Sequence, residues 1–131
     1  RLMGADAVLL IVAALSVEEL KRFHALSRDL GLDALVETHS EAELEIALSV
    51  GADLIGVNQR NLTTFEVDHE RAARMAQLMP DDVVAVAESG VRDPTDAATL
   101  RDAGYAAILV GETLVTSGDA SAAVTALREA V

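Results

Sequence analysis

The chain has 131 residues, enough for one domain with a real core, and 51% of them are hydrophobic while only 2% are aromatic, so that core must be aliphatic. A net charge of −12, with 22 acidic residues against 10 basic ones and no basic stripe, argues against a nucleic-acid partner and reads as solubility. The absence of cysteine excludes disulfides and thiolate metal sites, and the longest apolar run, Ala7 to Leu15, is too short to span a bilayer.

Arg1 opens the chain without a methionine, inside what reads as a helix-to-strand turn, so a fragment or processed product is expected. No secretory leader is visible, and the cytoplasm is the default location. The first strand-length aliphatic run is "GADAVLLI" from Gly4. Ser16-Val17-Glu18-Glu19 then fits a capping box, and Val17, Leu20, Phe23 and Leu30 recur as the apolar stripe of a first helix. Lys21, the only lysine, and His24 are placed on its solvated surface. "DALVETH" from Asp33 is a second strand, followed by a second box, Ser40-Glu41-Ala42-Glu43. "GADLIGVN" from Gly51 is the third strand. The next helix puts Ala72, Met75, Ala76 and Met79 on one face, with His69 at its start on the surface. "VVAVAES" from Val83 is the fourth strand, and Asp93-Pro94 is an N-cap followed by proline in the first turn. "GYAAILVG" from Gly104 is the fifth strand, "VGETLVTSGD" a short extra helix, and Ala120, Val124, Leu127 and Val131 a final stripe.

Alternation of aliphatic strands with helices predicts an α/β domain over residues 1–131, with a parallel sheet covered by helices. The echo among "GADAVLLI", "GADLIGVN" and "GYAAILVG" recurs about every fifty residues, as in a barrel of βα modules. Five modules make a partial TIM barrel, five of eight strands; the competing architecture is a complete five-stranded doubly wound domain.

In either architecture function collects at the carboxyl ends of the strands. Those ends read Leu10 to Val12, Glu37, Asn58 with Arg60, Glu88-Ser89-Gly90, and Gly111-Glu112. Glu37 shares a strand face with Leu35; facing inward it is a desolvated carboxyl suited to proton transfer, and facing outward it is a solvated strand terminus before the Ser40 cap. Asn58 and Arg60, two apart, project to one side while the chain stays extended. They orient a hydroxyl and offset an anion there, or they belong to an ordinary polar loop. Ser89-Gly90 and Gly111 are candidates for a phosphate cradle, because glycine lets the backbone approach an anion closely. His39 is read as a turn residue that could reach a ligand, and the histidine spacing fits no zinc motif, so no metal or cofactor is expected.

At these ends the sequence resembles the indole-3-glycerol-phosphate synthases throughout its length. "GADAVLLIVAAL" is similar to that family's fourth strand, "LVETH" to the fifth, "IGVNQRNL" to the sixth, "VAESGV" to the seventh and "LVGETLV" to the eighth. The resemblance implies a lyase of tryptophan biosynthesis, in which carboxyphenylamino-deoxyribulose phosphate closes its ring with loss of carbon dioxide and water. It implies that Glu37 and Glu88 are active-site carboxylates and that Asn58 positions the substrate. Ser89, Gly90, Gly111 and the Glu112 backbone would hold the phosphate, with the Glu112 side chain turned away from it. Arg60 would support Glu37, and Leu10 would line the pocket for the aromatic ring.

The family's first three strands, with two lysines including the general acid and a further carboxylate, have no counterpart here. Lys21, on a helix, does not replace them. The chain alone is therefore expected to turn over poorly or not at all, and to need the missing amino-terminal half or to self-associate through its open edges. Two other readings stand: another phosphosugar barrel, such as an isomerase or the tryptophan synthase alpha subunit, and a non-catalytic half-barrel that binds phosphate.

Overall fold

The computed structural model describes residues 2–61 and 64–130; Leu62 of the "NQRNL" motif and Val131 of the final stripe lie outside them. Five strands form one parallel sheet: β1 (Ala7–Ile11), β2 (Asp33–Thr38), β3 (Leu54–Asn58), β4 (Val84–Glu88) and β5 (Ala107–Leu109). Their spatial order is their chain order. Among the described residues six α-helices alternate with and follow them, α1 (Val17–Asp29), α2 (Glu41–Ser49), α3 (Arg71–Ala76), α4 (Pro94–Asp102), α5 (Glu112–Thr116) and α6 (Ala120–Ala130), with a 3-10 turn at Val12–Ala14.

Sequential order decides between the two predicted architectures. A doubly wound sheet reverses direction at a switch point and carries helices on both sides. Here every crossover steps the same way, and right-handed connections then put every helix on one side. Register places Leu10, Val36, Ile55 and Ala87 on the helix side, in one buried cluster with Leu20, Leu44, Met75, Ala97 and Leu127 from the helices. The other side is open, with Leu9 49%, Val84 48% and Leu109 51% exposed. That is the inner wall of a barrel in which five of the eight staves are present.

The local signals behave as their chemistry requires. Ser16 closes a full capping box with Glu19, and Asp93 accepts from the N–H groups of Thr95 and Asp96 ahead of Pro94. Two of the repeated glycines, Gly51 and Gly104, end the helix before their strand, the Gly51 N–H bonding to the Leu48 carbonyl at 3.0 Å and the Gly104 N–H to that of Arg101 at 2.9 Å. The second capping box is only half formed. Ser40 accepts from the Glu43 N–H, but the Glu43 carboxylate accepts instead from the N–H of His39, at 2.8 Å.

Three expectations need correction. The buried stripe of α1 is Leu20, His24 and Ser27, while Val17 and Leu30 are exposed. His24 is thus interior, in a small cleft with Asp33 and Asp53 at the amino ends of the strands, and Ser27 is satisfied by the Phe23 carbonyl. In α6 only Leu127 of the predicted stripe is buried; Ala120 and Val124 are exposed, because the helix is rolled toward Ala123, Ala126 and Ala130.

Candidate active site

Strand alternation and register bring Glu37, Asn58 and Glu88 to the open side of the sheet at its carboxyl rim. Glu37 is paired with Gly56, and Asn58 with Glu88, so the three lie on neighbouring strands pointing the same way. All three are buried. Leu10 is not among them. It pairs with Val36 and sits under the helices, on the far side of the sheet; Leu9 and Ile11 are the β1 residues that share the side of Glu37. In the continuous run "AVLLI" no polar residue marks which alternate positions face which way.

The carboxyls of Glu37 and Glu88 meet across β3, and Gly56 is what lets them. A methyl group at Gly56 would overlap Glu88 Oε1 and crowd Leu35 Cδ1 at 3.3 Å. Two carboxylates offer each other only acceptors, and Glu88 Oε1 is buried with no donor on it. A proton resolves the conflict. Burial, a hydrogen bond with Glu37 and the negative charge of Glu37 push Glu88 up to about 8. At neutral pH the pair thus holds one proton, on the side of Glu88, whose burial favours the neutral acid.

His39, one residue past β2, extends this group. Its Nε2 lies 3.2 Å from Glu37 Oε1 and its Nδ1 lies 3.2 Å from Glu43 Oε2. Asn58 turns inward, its Oδ1 accepting from the Arg60 N–H at 3.0 Å, while its own carbonyl accepts from Arg71 at 2.9 Å.

Arg60 departs from expectation. The chain leaves the extended form after Asn58 and pairs antiparallel with Val67, so the guanidinium swings away from Glu37. It forms an ion pair with Glu112 and donates to the Phe65 carbonyl. The Glu112 side chain is largely exposed, and its carboxylate reaches over the rim to Arg60. Both line a cleft of about 870 Å³ that also takes in Glu88, Ser89, Gly90 and Gly111. Ser89 and Gly90 have φ of +64° and +73°, two left-handed residues in succession that turn the backbone sharply at the tip of β4. A side chain at Gly90 would meet Val67 Cγ1 at 2.5 Å. Gln59 braces the turn, its amide donating to the Ser89 carbonyl at 2.9 Å. His69, on the surface as expected, also lines this cleft.

The structure thus gathers Glu37, Asn58, Glu88, Ser89, Gly90, Arg60, Gly111 and Glu112 at one end of the sheet and leaves Leu10 out. Gly56, Gln59 and the His39–Glu43 pair escape the sequence reading. Only Gly56 had a signal, a glycine inside the strand "LIGVN", which marks a close approach.

A family model described as indole-3-glycerol phosphate synthase matches residues 1–127. The indole-3-glycerol phosphate synthase of Chloroherpeton thalassium is 53% identical over 117 residues, 89% of this chain and 45% of that protein. That of a Nocardioides species is 52% identical over 95% of this chain and 48% of its own. The multifunctional tryptophan biosynthesis protein of Schizosaccharomyces pombe is 46% identical over 93% of this chain and 16% of its own. Among solved structures, 3-hexulose-6-phosphate synthase from Salmonella typhimurium superposes with a TM-score of 0.82 at 14% identity, covering 97% of this chain and 62% of that one. Thiamine phosphate pyrophosphorylase from Pyrococcus furiosus gives 0.73 at 22% identity, covering 96% and 59%. These two likenesses speak to the fold alone. The chain spans about half the length of the synthases it matches. By the extent of the family match and the identity of these relatives, the chain belongs to the indole-3-glycerol phosphate synthase family.

Proposed function

We propose that this chain supplies the last five βα units of an indole-3-glycerol phosphate synthase, and that Glu37, Asn58 and Glu88 serve its active site. The reaction needs an acid to polarise a ketone while an aromatic ring attacks it, and then, after carbon dioxide leaves, a base and an acid to remove a hydroxyl. Glu37 acts as the base and the protonated Glu88 as an acid, with Asn58 positioning the substrate between them. The substrate phosphate lies in the cleft beside Ser89, Gly90 and Gly111, where Arg60 and Glu112 form the far rim. The ketone acid comes from outside this chain, since the one lysine, Lys21, is exposed on α1.

The observation that carries this reading is the buried Glu37–Glu88 pair, with Glu88 raised to about 8, on the inner wall of a barrel. Groups whose environments push their protonation apart divide the roles of acid and base. In the complete enzyme, Glu37→Gln should lower kcat by about 10²–10⁴ while leaving phosphate affinity in place. Indole-glycerol phosphate fluorescence reads the first and inhibition by inorganic phosphate the second; undiminished turnover would overturn the assignment.

For the chain by itself the open sheet face favours a second reading, phosphate binding without turnover. Its partners would be the remaining units or a second copy, and its setting the cytoplasm. Among the described residues no helix is long and apolar enough to cross a membrane. Mixing the chain with the remaining units tests both: activity that appears only on mixing assigns turnover to the whole enzyme and binding alone to this chain, and turnover by the chain alone would overturn the second reading.

A further inference from the structure

We infer that His39 is a positioning residue that relieves Glu37 of its proton, with Glu43 fixing the imidazole in the tautomer this requires. The inference rests on the assignment of Glu37 as a base. Glu43 Oε2 accepts the His39 backbone N–H at 2.8 Å and lies 3.2 Å from Nδ1 of the same residue. Both ring nitrogens lie near a carboxylate, which has only lone pairs to offer, but only Nδ1 is in line for a hydrogen bond with one, so in the neutral ring Nδ1 carries the hydrogen. That leaves Nε2 as the bare nitrogen, buried, without a hydrogen-bond partner, and 3.2 Å from Glu37 Oε1.

A bare nitrogen beside an ionised carboxylate is a mismatch until a proton arrives. Glu37 takes a proton from the substrate in the dehydration that follows loss of carbon dioxide. A small turn of the imidazole then brings Nε2 into line with Oε1, 3.2 Å away, and the proton moves from Oε1 to Nε2. The O–H bond breaks as the N–H bond forms, Glu37 returns to carboxylate, and the imidazolium lies between Glu37 and Glu43. No electrons change hands and nothing else is consumed. On its other side His39 lines a shallow cleft with Ser40, Glu41, Asp68, Arg71 and Arg74. The imidazolium holds the proton until product leaves, and the proton then returns through Glu37 Oε1 to water in the emptied site. The charged groups facing the pair are therefore Glu88 across the sheet, Glu43 and Glu41 on α2, and Asp68, Arg71 and Arg74 beyond the β3 tip. Arg74 is tied to Asp68 at 2.7 Å, and Arg71 donates to the Asn58 carbonyl, so both guanidinium groups have other partners.

The test uses the complete enzyme and its own substrate. His39→Gln retains an amide near Glu37 but accepts no proton; kcat should fall about tenfold or more with KM within about twofold, and the pH–rate profile should change shape. His39→Ala should recover turnover with added free imidazole in proportion to its concentration. Glu43→Gln, which folds around the same contacts, should alter the profile in the same direction. Nitrogen-15 NMR of the substrate-free enzyme should show His39 protonated at Nδ1 at neutral pH. Unaltered kcat and pH profile in His39→Gln, or a hydrogen resident on Nε2 alone, would overturn this role of His39. Full turnover in Glu37→Gln would instead overturn the assignment beneath it, a different result from a different variant.

Discussion

At the scale of single residues, the site turns on a glycine and a proton. Gly56 sits where any side chain would collide with Glu88, so Gly56→Ala should force that carboxyl out of its place beside Glu37. Overpacking of this kind costs about 1–3 kcal/mol, readable as a lower urea midpoint, and the complete enzyme should lose most of its kcat. Glu88 gives a pH signature as well. Its protonation is raised from 4.5 to about 8 in the folded chain, so between those values the native state binds more protons than the unfolded one. Stability must therefore fall as pH rises through that window and level off above it, each unit being worth at most about 1.4 kcal/mol. Urea midpoints measured from pH 5 to 9 should show this slope, and Glu88→Gln should flatten it; an identical slope in that variant would remove Glu88 as its source. The residues that announce themselves in the sequence are the polar ones that interrupt aliphatic runs, Glu37 and Glu88. The side of the sheet taken by Leu9 and Leu10 does not announce itself, because "AVLLI" lacks the alternation that sets a phase. Arg60 misleads for another reason. Reading it with Asn58 assumes an extended chain, and the chain bends at Asn58, whose own side chain caps the bend.

Elements were more legible than faces. Caps depend on a few atoms close in sequence, so Ser16, Ser40 and Asp93 declare the starts of α1, α2 and α4, and all three side chains accept the expected N–H groups. Asp93→Ala should strip two acceptor contacts, at 2.8 and 3.0 Å, from the first turn of α4 and cost about 1 kcal/mol. Asp93→Asn should recover most of it, and equal midpoints for the two variants would show that the cap is idle. Which side a helix buries depends instead on where the sheet lies. In α1 the core takes His24 and Ser27 while leaving Val17 and Leu30 in water, an outcome hydropathy alone does not encode. Glu43 shows how tertiary use overrides a local motif. Its carboxylate is spent on His39 rather than on Ser40, so the box stays half formed and the side chain serves the strand tip.

At the scale of the whole molecule, helices seal one side of the sheet and leave the other side and both edge strands bare. Leu9, Val84 and Leu109 are each about half exposed on that bare side, where a full barrel packs layers of side chains. The chain on its own should therefore associate as concentration rises, which sedimentation velocity would detect. Replacing Leu9 and Leu109 with lysine should reverse the association and leave helical circular dichroism unchanged. A monodisperse monomer at every concentration would count against it. The chain order of the strands has one more consequence. Each ladder joins a strand to the next one along the polypeptide, so no pairing waits for a distant segment, and the loop closed at each step is short. Growth from one end, with every new strand laid against the one just finished, is thereby open to this polypeptide while it is still emerging from the ribosome.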